Sequence, residues 1–174
     1  DTPTDPASWV WSGNVITTFT SFYSGAPHLV LFGSTWYLFY ADRPNIMVAT
    51  SSNVAGPYTI NPTPVLSPSG PSPAWDNFRV DEPYVFQRAD GKWVLIYMAD
   101  SGGATEQVGY ATADNITGPY TIFAGNPCLA FGSPGSFDAG TIADPWVYDY
   151  HGVYYIGYTV SSTNSSPWQT ACAT

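Results

Sequence analysis

Two acids stand directly before prolines at a fixed spacing. Glu82-Pro83 and Asp144-Pro145 are 62 residues apart, and Asp81 flanks the first of them. Carboxyl groups brought together can divide proton chemistry, one kept protonated as an acid and one ionised as a base, when burial or a neighbouring charge separates their proton affinities. Other chemistries are poorly provided for. His28 and His151 are the only imidazoles, Cys128 and Cys172 the only thiols, and none stands at a metal-ligand spacing. Neither metal nor thiol catalysis is expected, and no cofactor. The two cysteines either pair between neighbouring units in an oxidising environment or stay two separate small buried residues.

The spacing of 62 recurs throughout the chain. Residues 46–50 read IMVAT, 108–112 read VGYAT and 170–174 read TACAT; SSNVAGPYTI (51–60) matches ADNITGPYTI (113–122) at the same offset. Trp75-Asp76 and Phe137-Asp138 keep that register, and Ala26-Pro27 marks a first unit six residues shorter, with the shortening expected in a loop. A period of this length is the signature of stacked supersecondary units. Within each unit an apolar strand is predicted after the Pro (28–32, 84–87, 146–148), then a Gly turn (Gly33-Ser34, Asp90-Gly91, His151-Gly152). An aromatic strand follows (WYLFYA, KWVLIYMA, VYYIGYT), then the Ala-Thr strand, and Gly-Pro-Tyr-Thr-Ile opens a fourth. Four antiparallel strands per unit predict an all-β fold, a β-propeller, with blade-like units at about 9–60, 75–122 and 137–174 in one segment spanning 1–174.

Composition agrees. The 174 residues are 44% hydrophobic, 17% aromatic and only 10% charged, with 16 Gly and 16 Pro marking frequent turns. Strands apolar on both faces are expected where blades stack and bury both sides of each sheet. Four Lys and Arg against 13 Asp and Glu leave a formal charge of −9, a surface that repels phosphate backbones and anionic lipid. Nucleic acid and membrane are therefore not expected partners. There is no charged-then-apolar leader, so any export signal is expected to have been removed. Low Lys with abundant Ser, Thr and aromatics points to a secreted, extracellular protein. Asn115-Ile-Thr and Asn164-Ser-Ser are sequons, acceptors only in a glycosylating host.

GAPHLVLFGSTWYLFYA (25–41), VDEPYVFQRADGKWVLIYMAD (80–100), VGYATADNITGPYTI (108–122) and ADPWVYDYHGVYYIGYT (143–159) together resemble the five-bladed propeller glycosidases: family 43 glycoside hydrolases and their relatives in families 32, 62, 68, 117 and 130. The resemblance implies a funnel on the propeller axis where innermost strands deliver three acids to a sugar: an Asp base, a Glu acid and an Asp that tunes it. Direct attack by water with inversion takes two carboxyl groups about 6.5–9.5 Å apart. The family's slot for these acids is the residue before Pro. Here it holds Glu82, with Asp81 beside it, and Asp144, which the resemblance makes the catalytic candidates. Ala26 in the first unit resembles the family's non-acidic second blade, making the Glu82 unit like the third and the Asp144 unit like the fourth. Two departures stand out: the family's fourth blade supplies a Glu before its Gly-Pro, and the base belongs to a unit before residue 25, where Asp5 lacks a following strand pattern.

Asp76 and Asp138 recur at one phase, as structural residues do, and are expected to cap backbone N–H groups; Asp90 and Asp114 sit in turn contexts. His28 either reaches the funnel as a substrate-binding residue or is a satisfied, partly buried histidine. Trp75, Trp146 and Trp168 are candidate sugar-stacking residues, and packing between blades explains them equally well.

The function expected is a secreted glycoside hydrolase-like propeller cleaving oligo- or polysaccharide of the arabinan or xylan type by inversion. The alternative is a propeller that keeps the scaffold as a carbohydrate-binding or self-assembling module. Propellers close with about 4–8 blades, and about three of a probable five are present. The remaining blades are expected from a longer chain, of which this is a fragment, or from self-association.

Overall fold

The computed structural model describes residues 13, 15–16, 23–71, 74–103, 105–163 and 167–174. Asp5 and the Asn164 sequon lie outside these. All regular structure among the described residues is β, in three antiparallel sheets. The first holds β1 (Ser24–Phe32), β2 (Thr35–Asp42), β3 (Asn45–Ser51) and β4 (Thr59–Ile60), and the second holds β5 (Arg79–Gln87), β6 (Trp93–Asp100), β7 (Gln107–Ala113) and β8 (Thr121–Ile122). The third holds β9 (Thr141–Tyr150), β10 (Val153–Ser161) and β11 (Gln169–Ala173). Strands follow chain order in every sheet, the meander of a propeller blade.

The first strands gather at one side: β1 packs beside β5 and β5 beside β9, whereas β4 and β8 contact only their own sheets. That is a radial arrangement, with the first strand of each blade nearest the axis. Every residue of β6 is buried, because alternate side chains serve different interfaces. Trp93, Leu95 and Tyr97 join Phe39, Ile46 and Val48 of the first blade, while Val94 and Ile96 join Ile142, Val147, Tyr158 and Val160 of the third. One hydrogen bond recurs at both interfaces: Val80 N–H donates to the Pro44 carbonyl at 3.0 Å, and Ile142 N–H to the Glu106 carbonyl at 2.9 Å.

The shorter first unit is explained by its turns. Its Gly33-Ser34 and Arg43-Pro44 connections correspond to the longer 88–92 and 101–106 connections of the second. The Gly turn of the third blade has both His151 (φ 54°) and Gly152 (φ 83°) in the left-handed region, as a tight hairpin requires.

The first strands begin earlier than the sequence pattern predicts. The residue-Pro pair sits inside the strand, where the register slips between Gly25 and His28, between Asp81 and Tyr84, and at Asp144-Pro145 opposite Tyr158. Each slip is a β-bulge, two residues facing one. Proline is tolerated there because the extra residue needs no ladder partner.

Candidate active site

The bulge fixes where the acids point. Ala26, Glu82 and Asp144 occupy one position in successive blades, and all three have positive φ, at 48°, 51° and 49°. A non-glycine residue held there costs about 1–2 kcal/mol. The same distortion in three blades re-aims the side chain out of the strand's alternation, as bulges next to active sites do. Two of the three positions carry carboxyl groups.

The structure brings Glu82, Asp144 and Asp81 together. The Asp144 backbone N–H donates to Glu82 Oε2 at 2.6 Å across the boundary between the second and third blades. Thr159 on β10 donates its hydroxyl to Asp144 Oδ2 at 2.7 Å, orienting a carboxylate that is otherwise open to solvent. Asp81 is fully buried beneath them. Its Oδ1 accepts the Glu82 N–H at 2.9 Å, so the acid next in sequence supports the strained peptide.

A charge network surrounds Asp81. Arg43 Nε, from the β2–β3 turn of the first blade, donates to Asp81 Oδ2 at 2.5 Å, and Arg79 approaches the same oxygen at 3.8 Å. Arg79 also pairs with Asp100 and with Glu106, the latter at 2.5 Å, and Glu106 Oε2 accepts from the Thr141 hydroxyl at 2.8 Å. Ion pairs and hydrogen bonds thus run through all three blades. At the open side the Arg43 guanidinium lies 3.7 Å from the centre of the Tyr23 ring.

Glu82 is the group this setting changes most. Its carboxyl is pushed up to about 8. Burial is the main cause; the Asp144 amide works the other way, and the charges of Asp144, Asp81 and Glu106 add to the rise. Glu82 is therefore a carboxylic acid that keeps its proton at neutral pH, beside the open carboxylate of Asp144.

The remaining candidates stand apart. His28 Nε2 donates to the Val85 carbonyl at 2.9 Å, and its ring lies 4.2 Å from that of Tyr84, so it ties the first two blades; burial lowers its proton affinity. Trp75 packs against the interior cluster and stacks on Tyr97, 5.8 Å between centroids. Trp146 is half-exposed, two residues beyond Asp144, with its ring over Gly157. Trp168 is also half-exposed but precedes β11, the strand of its sheet farthest from β9.

Asp76 and Asp138 differ from the sequence expectation in their partners. Among the described residues they accept from the hydroxyls of Ser69 and Ser136 rather than from backbone N–H groups. Asp90 holds its own turn through the Lys92 N–H, and Asp114 pairs with the Lys92 ammonium. Both cysteines are free thiols, Cys128 half-buried and Cys172 exposed. Among the described residues no group of three or more His, Cys, Asp and Glu is placed to hold a metal ion.

Sequence reasoning missed Arg43, Arg79, Glu106 and Thr159. One signal was present: the chain has only four basic side chains, and two of them, Arg43 and Arg79, lie in this cluster.

Comparison with solved structures bears on the fold that carries this site. A family 117 glycoside hydrolase from the marine bacterium Zobellia galactanivorans superposes with a TM-score of 0.68 at 20% identity, over 90% of this chain and 55% of that one. An endo-arabinase from Bacteroides thetaiotaomicron gives 0.66 at 16% identity, over 84% and 49%. The chain has the fold of the β-propeller glycoside hydrolases. A third member of that group, an α-L-arabinofuranosidase from Podospora anserina in complex with cellotriose, gives 0.64 at 16% identity, over 86% and 53%. The chain spans about half the length of these propeller enzymes. No family model matches it, and no curated protein matches it by sequence.

Proposed function

We propose that this chain supplies the acid-bearing blades of a secreted glycoside hydrolase that cleaves neutral polysaccharide of the arabinan or xylan type outside the cell by inversion. One observation carries the proposal: Glu82, on a strained bulge, keeps its proton at neutral pH beside the solvent-open carboxylate of Asp144. In the cleavage step Glu82 donates its proton to the glycosidic oxygen as the bond from that oxygen to the anomeric carbon breaks. Water adds to that carbon from the opposite face and gives its proton to a carboxylate base. Asp144 sits beside Glu82, not across from it. It therefore sustains the Glu82 proton and accepts a hydroxyl of the sugar, and the base comes from another part of the complete propeller. Arg43 and Arg79 are already engaged by carboxylates, which suits a neutral sugar better than an anionic one.

Asp144 favours a second reading. It stands directly before Pro145 where the resemblance expects a Glu before Gly-Pro, as expected where a propeller keeps the scaffold and binds sugar without cleaving it. Hydrolysis of aryl arabinosides, aryl xylosides and a polysaccharide panel separates the two. Turnover that is lost in Glu82→Gln supports the hydrolase; glycan binding without turnover on the whole panel supports the binding module.

A further inference from the structure

The first blade has no acid at its bulge, yet it reaches into the site. We infer that Arg43 is a positioning residue for Glu82, acting across the blade boundary through Asp81. This rests on the reading of Glu82 as the proton donor, and its test needs no substrate.

The geometry is a three-member chain. Arg43 Nε donates to Asp81 Oδ2 at 2.5 Å, and Asp81 Oδ1 accepts the N–H of Glu82 at 2.9 Å. Asp81 is wholly inaccessible, so its charge requires compensation from protein groups. Its partners come from two directions: Arg43 from the β2–β3 turn, and Arg79, at 3.8 Å, from its own strand. Arg79 is also engaged by Asp100 and Glu106, which leaves Arg43 as the cation committed to Asp81. Arg43 is fixed in turn: its backbone N–H donates to the Tyr23 carbonyl at 3.2 Å, and its guanidinium covers the Tyr23 ring.

Two consequences follow for Glu82. The Asp81 carboxylate, held by Arg43, supports the left-handed peptide that aims Glu82 out of the strand. Arg43 also neutralises Asp81 on β5, one of the three carboxylates, with Asp144 on β9 and Glu106 from the β6–β7 connection, whose negative field raises Glu82; Tyr23 lies nearby. Removing the guanidinium leaves that field less compensated, so Glu82 holds its proton to higher pH.

Glu82 and Glu106 are the glutamates of this chain, and carboxyl-13C labelling of Glu follows both by NMR, the Glu82 resonance assigned with Glu82→Gln and the Glu106 resonance with Glu106→Gln. In Arg43→Met, whose stem still covers Tyr23, the Glu82 midpoint is expected to rise from about 8 by about one pH unit. Arg43→Lys keeps the charge without the planar fork, and its midpoint is expected between those of the parent and Arg43→Met. The Glu106 resonance, which reports on Arg79 and Thr141, checks that the cluster is intact. If Arg43→Met does not fold, the rise in Arg43→Lys carries the test. A Glu82 midpoint that stays put or falls in a folded variant overturns the inference and leaves Arg43 as a tie between blades. Either outcome leaves the hydrolase reading to be judged by turnover alone.

Discussion

The backbone N–H of Asp144 donates to Glu82 Oε2 at 2.6 Å, joining two residues that hold the same place in successive repeat units. The bond passes between blades, so the repeat that builds the scaffold also assembles the site. Because the donor is the amide, the Asp144 side chain can be altered without removing it.

Substituting the acids separates chemistry from folding. Glu82→Gln, which removes the proton donor, is expected to lower hydrolysis of an aryl arabinoside or xyloside by about 10²–10⁴-fold, and Asp144→Asn, which removes a sugar contact and a neighbouring charge, by less. Circular dichroism is expected to remain that of the parent. Parent-like turnover in Glu82→Gln would remove Glu82 from the mechanism.

The pH dependence follows from the raised proton affinity of Glu82. As the acid must carry its proton to act, kcat/KM is expected to fall as pH rises through about 8. In Asp144→Asn the amide bond stays but a neighbouring negative charge is lost, so the Glu82 midpoint is expected to drop by about one pH unit. An unchanged midpoint in that variant would mean that Asp144 contributes no field at Glu82.

Stability has the opposite sign from the usual carboxylate case. The unfolded chain releases the Glu82 proton near the ordinary value of about 4.3, whereas the folded chain keeps it to about 8. Between these values the native state binds the extra proton, so stability falls as pH rises, by roughly 5 kcal/mol across the window. Glu82→Gln, which cannot ionise, is expected to be more stable than the parent in urea unfolding at pH 9, with the difference closing near pH 4. A parent equally stable at both pH values contradicts this.

The tryptophans divide by role. Trp75→Ala is expected to cost about 3–5 kcal/mol in urea unfolding, since Trp75 stacks on Tyr97 and closes over Gly109 in the interior cluster. Trp146→Ala, at a half-exposed ring over Gly157 two residues beyond Asp144, is expected to cost less than that and to weaken glycan affinity. Equal stability losses for the two would argue that Trp146 serves packing alone.

Removing the central cation tests the network beneath the acids. Arg79→Met leaves Asp100 and Glu106 without their paired guanidinium and weakens the compensation of Asp81, so a loss of about 3–5 kcal/mol is expected on urea unfolding. A loss below about 1 kcal/mol would show these pairs to be solvated and weak.

The repeat made the blades and the pre-proline acids legible in the sequence, because both recur in one register. The bulge was not legible: residues before proline favour extended backbone, and nothing in Asp-Glu-Pro or Ala-Asp-Pro announces a left-handed peptide in mid-strand. Arg43 and Glu106 were hidden for a different reason. They lie in or beside connections of unequal length, where the register breaks, and their partners are distant in the chain. Thr159 is one of many hydroxyls on aromatic strands, and only the strand pairing, which sets it opposite Ala143 beside the bulge, brings its hydroxyl to Asp144. Trp75 and Trp146 carry the same residue type, and burial alone separates them.

Direct titration of Glu82 by carboxyl-13C NMR, with the Glu106 resonance as companion, tests the central claim that this site holds a carboxylic acid protonated at neutral pH. The expected result is a midpoint near 8; a midpoint in the ordinary glutamate range near 4.3 would contradict it.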